Sequence, residues 1–362
     1  MDEVNSLFFF KSSNIIVLTE YLKMKFLFLV IILFTSFNLN AKNFHIWKNN
    51  ENSQPNIEID QDKKTDYINV NNFGDILKKD KEPYGIEIFR KSYPDVIFKS
   101  EYKEAIEDWK IYVEIPDKNS SEGYRKSEFY WAKGSLLPES ELNNKDNYWS
   151  LLYQYDYHNP LPDPADYTPE QIKEIKSFTT DDNRKNGAGT PMFFFDEVYH
   201  SQNQVSVEEH IIKMNFLDKR INIHEKIKIP LQEVEKKIKE AALTDSEIQN
   251  FIDSINRNEG YHWRLIAGTK RKSFHCLGLA IDITPKSYHG KAVFWSWTKD
   301  INPENWMLTP LKERWMPPQK IIDIFEDCGF IWGGKWIIFD NMHFEYHPEL
   351  INYAKYLKDY KS

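Results

Sequence analysis

Hydrophobic and polar positions alternate in some short runs of this chain and recur at helical spacing in others. Trp109-Lys-Ile-Tyr-Val-Glu-Ile115 alternates, which predicts a strand. Asp117 to Gly123 reads as a turn, and Phe129-Tyr-Trp-Ala132 as its partner strand, so a hairpin is expected. Pro160, Pro162, Pro164 and Pro169 mark an irregular connection. Thr168 then caps a short helix with Pro169 in its first turn. Further on, Pro230 opens a helix with Leu231, Val234, Ile238 and Ala241 on one face. Thr244-Asp-Ser-Glu247 reads as a capping box for the next helix, whose stripe is Ile248, Phe251, Ile252 and Ile255. A later helix starts at Pro317-Pro318, buries Ile321, Ile322 and Phe325, and stops at Gly329. Both Leu279–Thr284 and the run around Phe344 have strand periodicity. The pattern predicts an α+β fold: a small antiparallel sheet flanked by helices, with a mixed N-terminal extension.

Composition changes this picture at the N-terminus. Residues 24–41 carry a basic start at Lys25, an unbroken apolar run from Phe26 to Phe34, and Leu39-Asn-Ala41 as a cleavage site. That is the form of a secretory signal peptide, and the run is short for a membrane span. Export to the periplasm or medium is expected, with no stable membrane span after cleavage and with Met24 as the start. Residues 1–41 are thus an upstream segment plus signal peptide. Residues 42–65 are polar and read as a disordered linker. Residues 66–205 form an extension without evident chemistry, its aromatic residues read as core. Residues 206–362 carry the chemistry. The net charge of −8 speaks against nucleic-acid binding. Cys276 and Cys328 are the two cysteines, a possible pair in an exported protein.

The chemistry lies in two runs. In Ser273-Phe-His-Cys-Leu-Gly-Leu-Ala-Ile-Asp282, the histidine and the aspartate are seven residues apart. In one straight strand that odd offset would send them to opposite faces, so the chain must bend, and Gly278 supplies the freedom. In Asp340-Asn-Met-His-Phe-Glu345, His343 and Glu345 share one strand face, and Gly333-Gly334 makes a turn ahead of it. Two histidines and one aspartate suit Zn²⁺ and leave a fourth position for water, whose pKa zinc lowers to about 7. Asp340 is spaced to take and return the proton. Cys276, His289 and His347 are reserve ligands; Cys276 is weak because in a strand it points away from His275.

Ser273-x-His275-x-x-Gly278-x-Ala280-x-Asp282 resembles the signature of the D-alanyl-D-alanine metallopeptidases, a family that includes D,D-dipeptidases, D,D-carboxypeptidases and phage L-alanyl-D-glutamate endolysins. Trp332-Gly-Gly-Lys-Trp336 with Asp340-x-x-His343-Phe-Glu345 is similar to the endolysin branch. The resemblance implies that His275, Asp282 and His343 bind zinc, that Asp340 is the catalytic base, and that Ser273 helps hold substrate. The family's substrate-gripping arginine has Arg264 as its counterpart, with Arg271 in reserve, since an arginine suits bidentate carboxylate recognition. Phe129 to Pro138 also resembles the leading regions of some long family members, so an integral extension is expected.

The reading is an exported zinc metallopeptidase that hydrolyses amide bonds in peptidoglycan stem peptides, of D-Ala-D-Ala carboxypeptidase or L-Ala-D-Glu endopeptidase type. The rival is a catalytically silent zinc protein that binds wall peptide; Asp340 favours the enzyme. No His-Glu-x-x-His occurs, which disfavours a zincin.

Overall fold

The computed structural model describes residues 81–266 and 268–361. The expected signal peptide at 24–41 and linker at 42–65 lie outside the described residues. Helix α1 (Tyr84–Ser92) buries Ile86, Ile88 and Phe89. It leads into an antiparallel meander of β1 (Ile97–Lys103), β2 (Asp108–Pro116) and β3 (Tyr124–Tyr130). The expected hairpin is therefore present, with one strand more. Ile111, Val113 and Ile115 supply the buried face of β2, as the alternation requires.

Helix α2 (Pro169–Phe178) starts as expected, its Thr168 and Gln171 forming a capping box. A hairpin of β4 (Ile211–Phe216) and β5 (Lys219–His224) follows. Helix α3 (Lys228–Ala242) buries Leu231, Val234 and Ile238. Helix α4 (Ser246–Ser254) is capped by Asp245, whose carboxylate accepts from the Glu247 amide. Thr244, expected as the cap, is one residue too early: the aspartate is the stronger acceptor at the position that faces the free amides.

The central sheet has the order β6-β7-β9-β8, antiparallel throughout. Its strands are β6 (Ile255–Glu259), β7 (Ala280–Pro285), β8 (Phe330–Trp332) and β9 (His343–Tyr346). Helices α5 (Trp295–Ile301) and α6 (Gln319–Asp327) lie between β7 and β8, and α7 (Pro348–Lys361) closes the described chain. The Phe325 ring of α6 stacks on Phe344 of β9, with centroids 3.9 Å apart. The run after Gly333-Gly334 is a tight turn and then irregular chain, so the strand resumes only at His343. The periodicity of 279–284 suggests a half-buried strand, yet almost all of β7 is buried. It sits between β6 and β9, and both of its faces are covered.

One continuous cluster of buried side chains runs from Ile86, Phe89 and Phe194 to Leu231, Ile281 and Phe344. The extension and the sheet that carries the two runs share this core. Some of the extension's aromatics are inside it, including Phe129 and Trp131, whereas Tyr155 joins a second cluster and Tyr124 is exposed. No helix among the described residues is long and apolar enough to cross a membrane.

Candidate metal centre

The bend ahead of β7 has a specific form. Phe274–Leu277 make a single helical turn, and Gly278 closes it at φ +70°. A side chain at Gly278 would also come within 2.6 Å of the His224 amide nitrogen, so glycine is required on both counts. The Ser273 hydroxyl is buried and caps the turn by accepting from the His275 amide, 3.3 Å away. The turn faces His275 toward the strand that carries Asp282. Asp282 and His343 are direct cross-strand partners on β7 and β9. The ligand atoms of His275, Asp282 and His343 all lie within 4.8 Å of one another, and all three residues are buried.

Hydrogen bonds select the tautomers. His275 Nδ1 donates to the Gly260 carbonyl, 2.6 Å away. Its Nε2 is then the lone-pair nitrogen. It lies 3.2 Å from Asp282 Oδ2 but makes no well-aligned hydrogen bond to any group. His343 Nε2 faces Glu345 Oε1 at 2.8 Å. Ionised, that carboxylate only accepts, so Nε2 carries a proton and Nδ1 turns to Asp282 Oδ1 at 2.7 Å. A nitrogen and a carboxylate oxygen that close need positive charge between them, either a proton on Nδ1 or a metal ion that takes its place. Burial works to lower the His343 pKa, but the Asp282 and Glu345 carboxylates outweigh it and hold it well above the usual imidazole range. Burial likewise works to raise Asp282, and the two imidazoles hold it far below the usual carboxylate range. The cluster therefore calls for positive charge at its centre. An orphaned buried imidazole nitrogen, a second imidazole nitrogen and a carboxylate form the nitrogen-and-oxygen set that zinc takes, with supporting acceptors behind both rings. His275, Asp282 and His343 form a Zn²⁺ site.

Asp340 is half-buried just before β9. Its amide donates to the Gly333 carbonyl at 3.1 Å, and the Met342 amide donates to its Oδ1 at 3.3 Å. Burial pushes its carboxyl up to about 6; the His343 charge opposes this and the Asp282 charge adds to it. A carboxyl near that value exchanges protons readily around neutral pH.

The two candidate arginines are placed very differently. The Arg264 backbone is clamped by Cys276: its amide donates to Sγ at 3.1 Å, and the thiol donates back to its carbonyl at 2.6 Å. Its side chain is exposed and lines a cavity of about 500 Å³ bounded by His275 and Asp282. Arg271 instead is half-buried and donates to the Gly187 carbonyl at 2.8 Å. Lys213 and Arg220, from the β4–β5 hairpin, line the same cavity as Arg264. None of the three makes an ion pair among the described residues, and the one lining glutamate, Glu259, pairs with Arg257 at 3.3 Å. Sequence reasoning missed Lys213 and Arg220, because single cations on exposed strand positions look like any solvated charge.

The reserve ligands fall outside the cluster. His289 is exposed. His347 is buried between Glu345 and Glu349. Cys276 is taken up by the Arg264 backbone, and both cysteines are free thiols. Among the insertion tryptophans, Trp306 is buried and Trp297 is 51% exposed.

Residues 267–346 match the family described as D-alanyl-D-alanine carboxypeptidase. Residues 86–153 match a family described as a domain of unknown function. No curated protein and no solved structure matches the chain.

Proposed function

We propose that residues 267–346, which match the family described as D-alanyl-D-alanine carboxypeptidase, form a zinc-dependent peptidase domain acting on peptidoglycan-like substrates, with the substrate bond and residue roles that follow. The chain hydrolyses an amide bond in peptidoglycan stem peptides, at L-Ala-D-Glu by preference over D-Ala-D-Ala, as an exported enzyme. The observation that carries this reading is the cavity beside the metal ligands, with Arg264, Lys213 and Arg220 on its wall. In both candidate bonds the leaving amine belongs to a residue with a free α-carboxylate, which suits one arginine. A released D-Ala carries one carboxylate, whereas the D-Glu side of the stem carries more, and three cations fit it better.

When bound, zinc polarises the scissile carbonyl and acidifies a water. Asp340 takes the proton of the attacking water and delivers it to the amine nitrogen as the C–N bond breaks. His275 and His343 hold the metal through nitrogens set by Gly260 and Glu345. Arg264 holds the carboxylate of the leaving residue. Ser273 keeps the His275 turn in shape.

The test is to incubate the zinc-loaded chain with defined stem peptides and read the products by mass spectrometry. A cut after L-Ala is expected. Release of terminal D-Ala alone would shift the reading to a carboxypeptidase. Intact peptides with one zinc bound would leave only the binding protein.

A further inference from the structure

The extension ahead of the peptidase-family domain has no assigned role, yet one of its residues is joined to the metal centre through a run of buried polar contacts. Helix α1 packs against α7, and the Tyr84 and Tyr356 rings stack with centroids 3.9 Å apart. This contact brings Tyr93, just after α1, to Glu349 at the start of α7. The Tyr93 hydroxyl donates to Glu349 Oε2 at 2.7 Å, across 256 positions of sequence. Glu349 Oε1 accepts from His347 Nδ1 at 2.6 Å. His347 Nε2 faces Glu345 Oε2 at 3.2 Å. Glu345 Oε1 in turn faces His343 Nε2 at 2.8 Å.

We propose that Tyr93, Glu349, His347 and Glu345 are positioning residues that hold the zinc ligand His343 in one tautomer and one orientation. All four are buried, and Glu349 is fully so. Glu345 accepts from His343 Nε2 and His347 Nε2, and Glu349 accepts from His347 Nδ1 and the Tyr93 hydroxyl. Glu345, itself held by His347 and through it by Glu349 and Tyr93, keeps Nε2 of His343 as a donor, which leaves Nδ1, beside Asp282, as the nitrogen for the metal. The Phe195 and Phe274 rings pack on His347, with centroids 5.6 Å and 4.5 Å from its own. Phe274 belongs to the turn that carries His275, so the two histidine ligands are braced through one ring. If Tyr93 is lost, Glu349 keeps a buried oxygen without a donor, and the whole chain is free to rearrange. On this account the extension is a structural part of the metal centre.

This inference rests on the reading of His343 as a ligand, and its test separates the two. Zinc affinity is measured by competition with a chromogenic chelator for the wild-type chain, Tyr93→Phe and Phe129→Leu. Phe129 is buried in the same extension, with the Phe194 ring as its neighbour at 6.1 Å. Tyr93→Phe should weaken zinc binding about tenfold, at the low end of what outer-shell partners contribute. Phe129→Leu should lower Tm without changing zinc affinity. If Tyr93→Phe does not fold, Glu349→Gln gives the same comparison. Equal zinc affinity in all variants, or equal loss in Tyr93→Phe and Phe129→Leu, would overturn the inference alone. Absence of one zinc equivalent in the wild type would instead overturn the ligand assignment.

Discussion

Asp282 and His343 face each other across two antiparallel strands, with Oδ1 and Nδ1 2.7 Å apart. The pair calls for positive charge between its atoms, a proton on Nδ1 or a metal ion, and a bound zinc ion would therefore affect stability as well as activity. At a hundredfold excess over its dissociation constant, a ligand adds about 2.7 kcal/mol. Zinc should therefore raise Tm by roughly 5 °C or more, and a chelator should reverse the rise. Asp282→Ala should show no response to zinc. Calorimetry with and without metal checks both; an unchanged zinc response in Asp282→Ala would remove the aspartate from the ligand set.

Arg264 and Arg271 should separate cleanly. Arg264 is exposed on the cavity wall, so Arg264→Ala should leave Tm almost unchanged and cut kcat/KM about 30-fold, for a lost charged hydrogen bond of about 2 kcal/mol. Arg271 holds the Gly187 carbonyl, so Arg271→Ala should cost about 1.5 kcal/mol of stability and leave KM alone. Joint reversal of Lys213 and Arg220 to glutamate should raise KM for a stem peptide with free carboxylates and have little effect on its amidated form. Steady-state kinetics with both peptides decides; equal effects on the two peptides would mean that these cations do not read carboxylates.

Acid should destabilise the chain through His224. This ring is fully buried, accepts the Lys226 amide at Nδ1, and faces the Tyr199 carbonyl with Nε2. Burial, aided by the neighbouring His210, pushes its pKa down to about 3; burial takes the nearby His200 to about 4, with Arg125 assisting. Both rings stay neutral in the fold, while the unfolded chain takes up protons near pH 6.5. Above that pH they contribute no pH dependence. As pH falls below 6.5 stability is lost, by up to about 1.4 kcal/mol per unit through the fully buried His224 and by less through the partly exposed His200, until the folded pKa is reached. His224→Gln should flatten the fall of Tm between pH 6.5 and 4.5 relative to wild type. Parallel curves for the two chains would dismiss the argument.

Much of the centre was legible because it is local. The His275–Gly278–Asp282 spacing demanded a bend, and the two-residue period of β9 put His343 and Glu345 on one face. The cap at Asp245 was misread by one residue because threonine and aspartate both cap helices. The burial of β7 on both faces was not visible, since it depends on which elements pack on each side of the sheet. The chain of contacts from Tyr93 to His343 was invisible for a different reason: its ends are far apart in sequence, and only the packing of α1 on α7 joins them. Lys213 and Arg220 gain meaning only from the cavity they share with Arg264.

The most direct measurement compares stem-peptide cleavage by the wild-type chain and Asp340→Asn, each verified to hold one zinc. Loss of a positioned proton carrier should lower kcat by about 10²–10⁴-fold with zinc retained. An Asp340→Asn chain that keeps its zinc and cleaves at the wild-type rate would contradict the account.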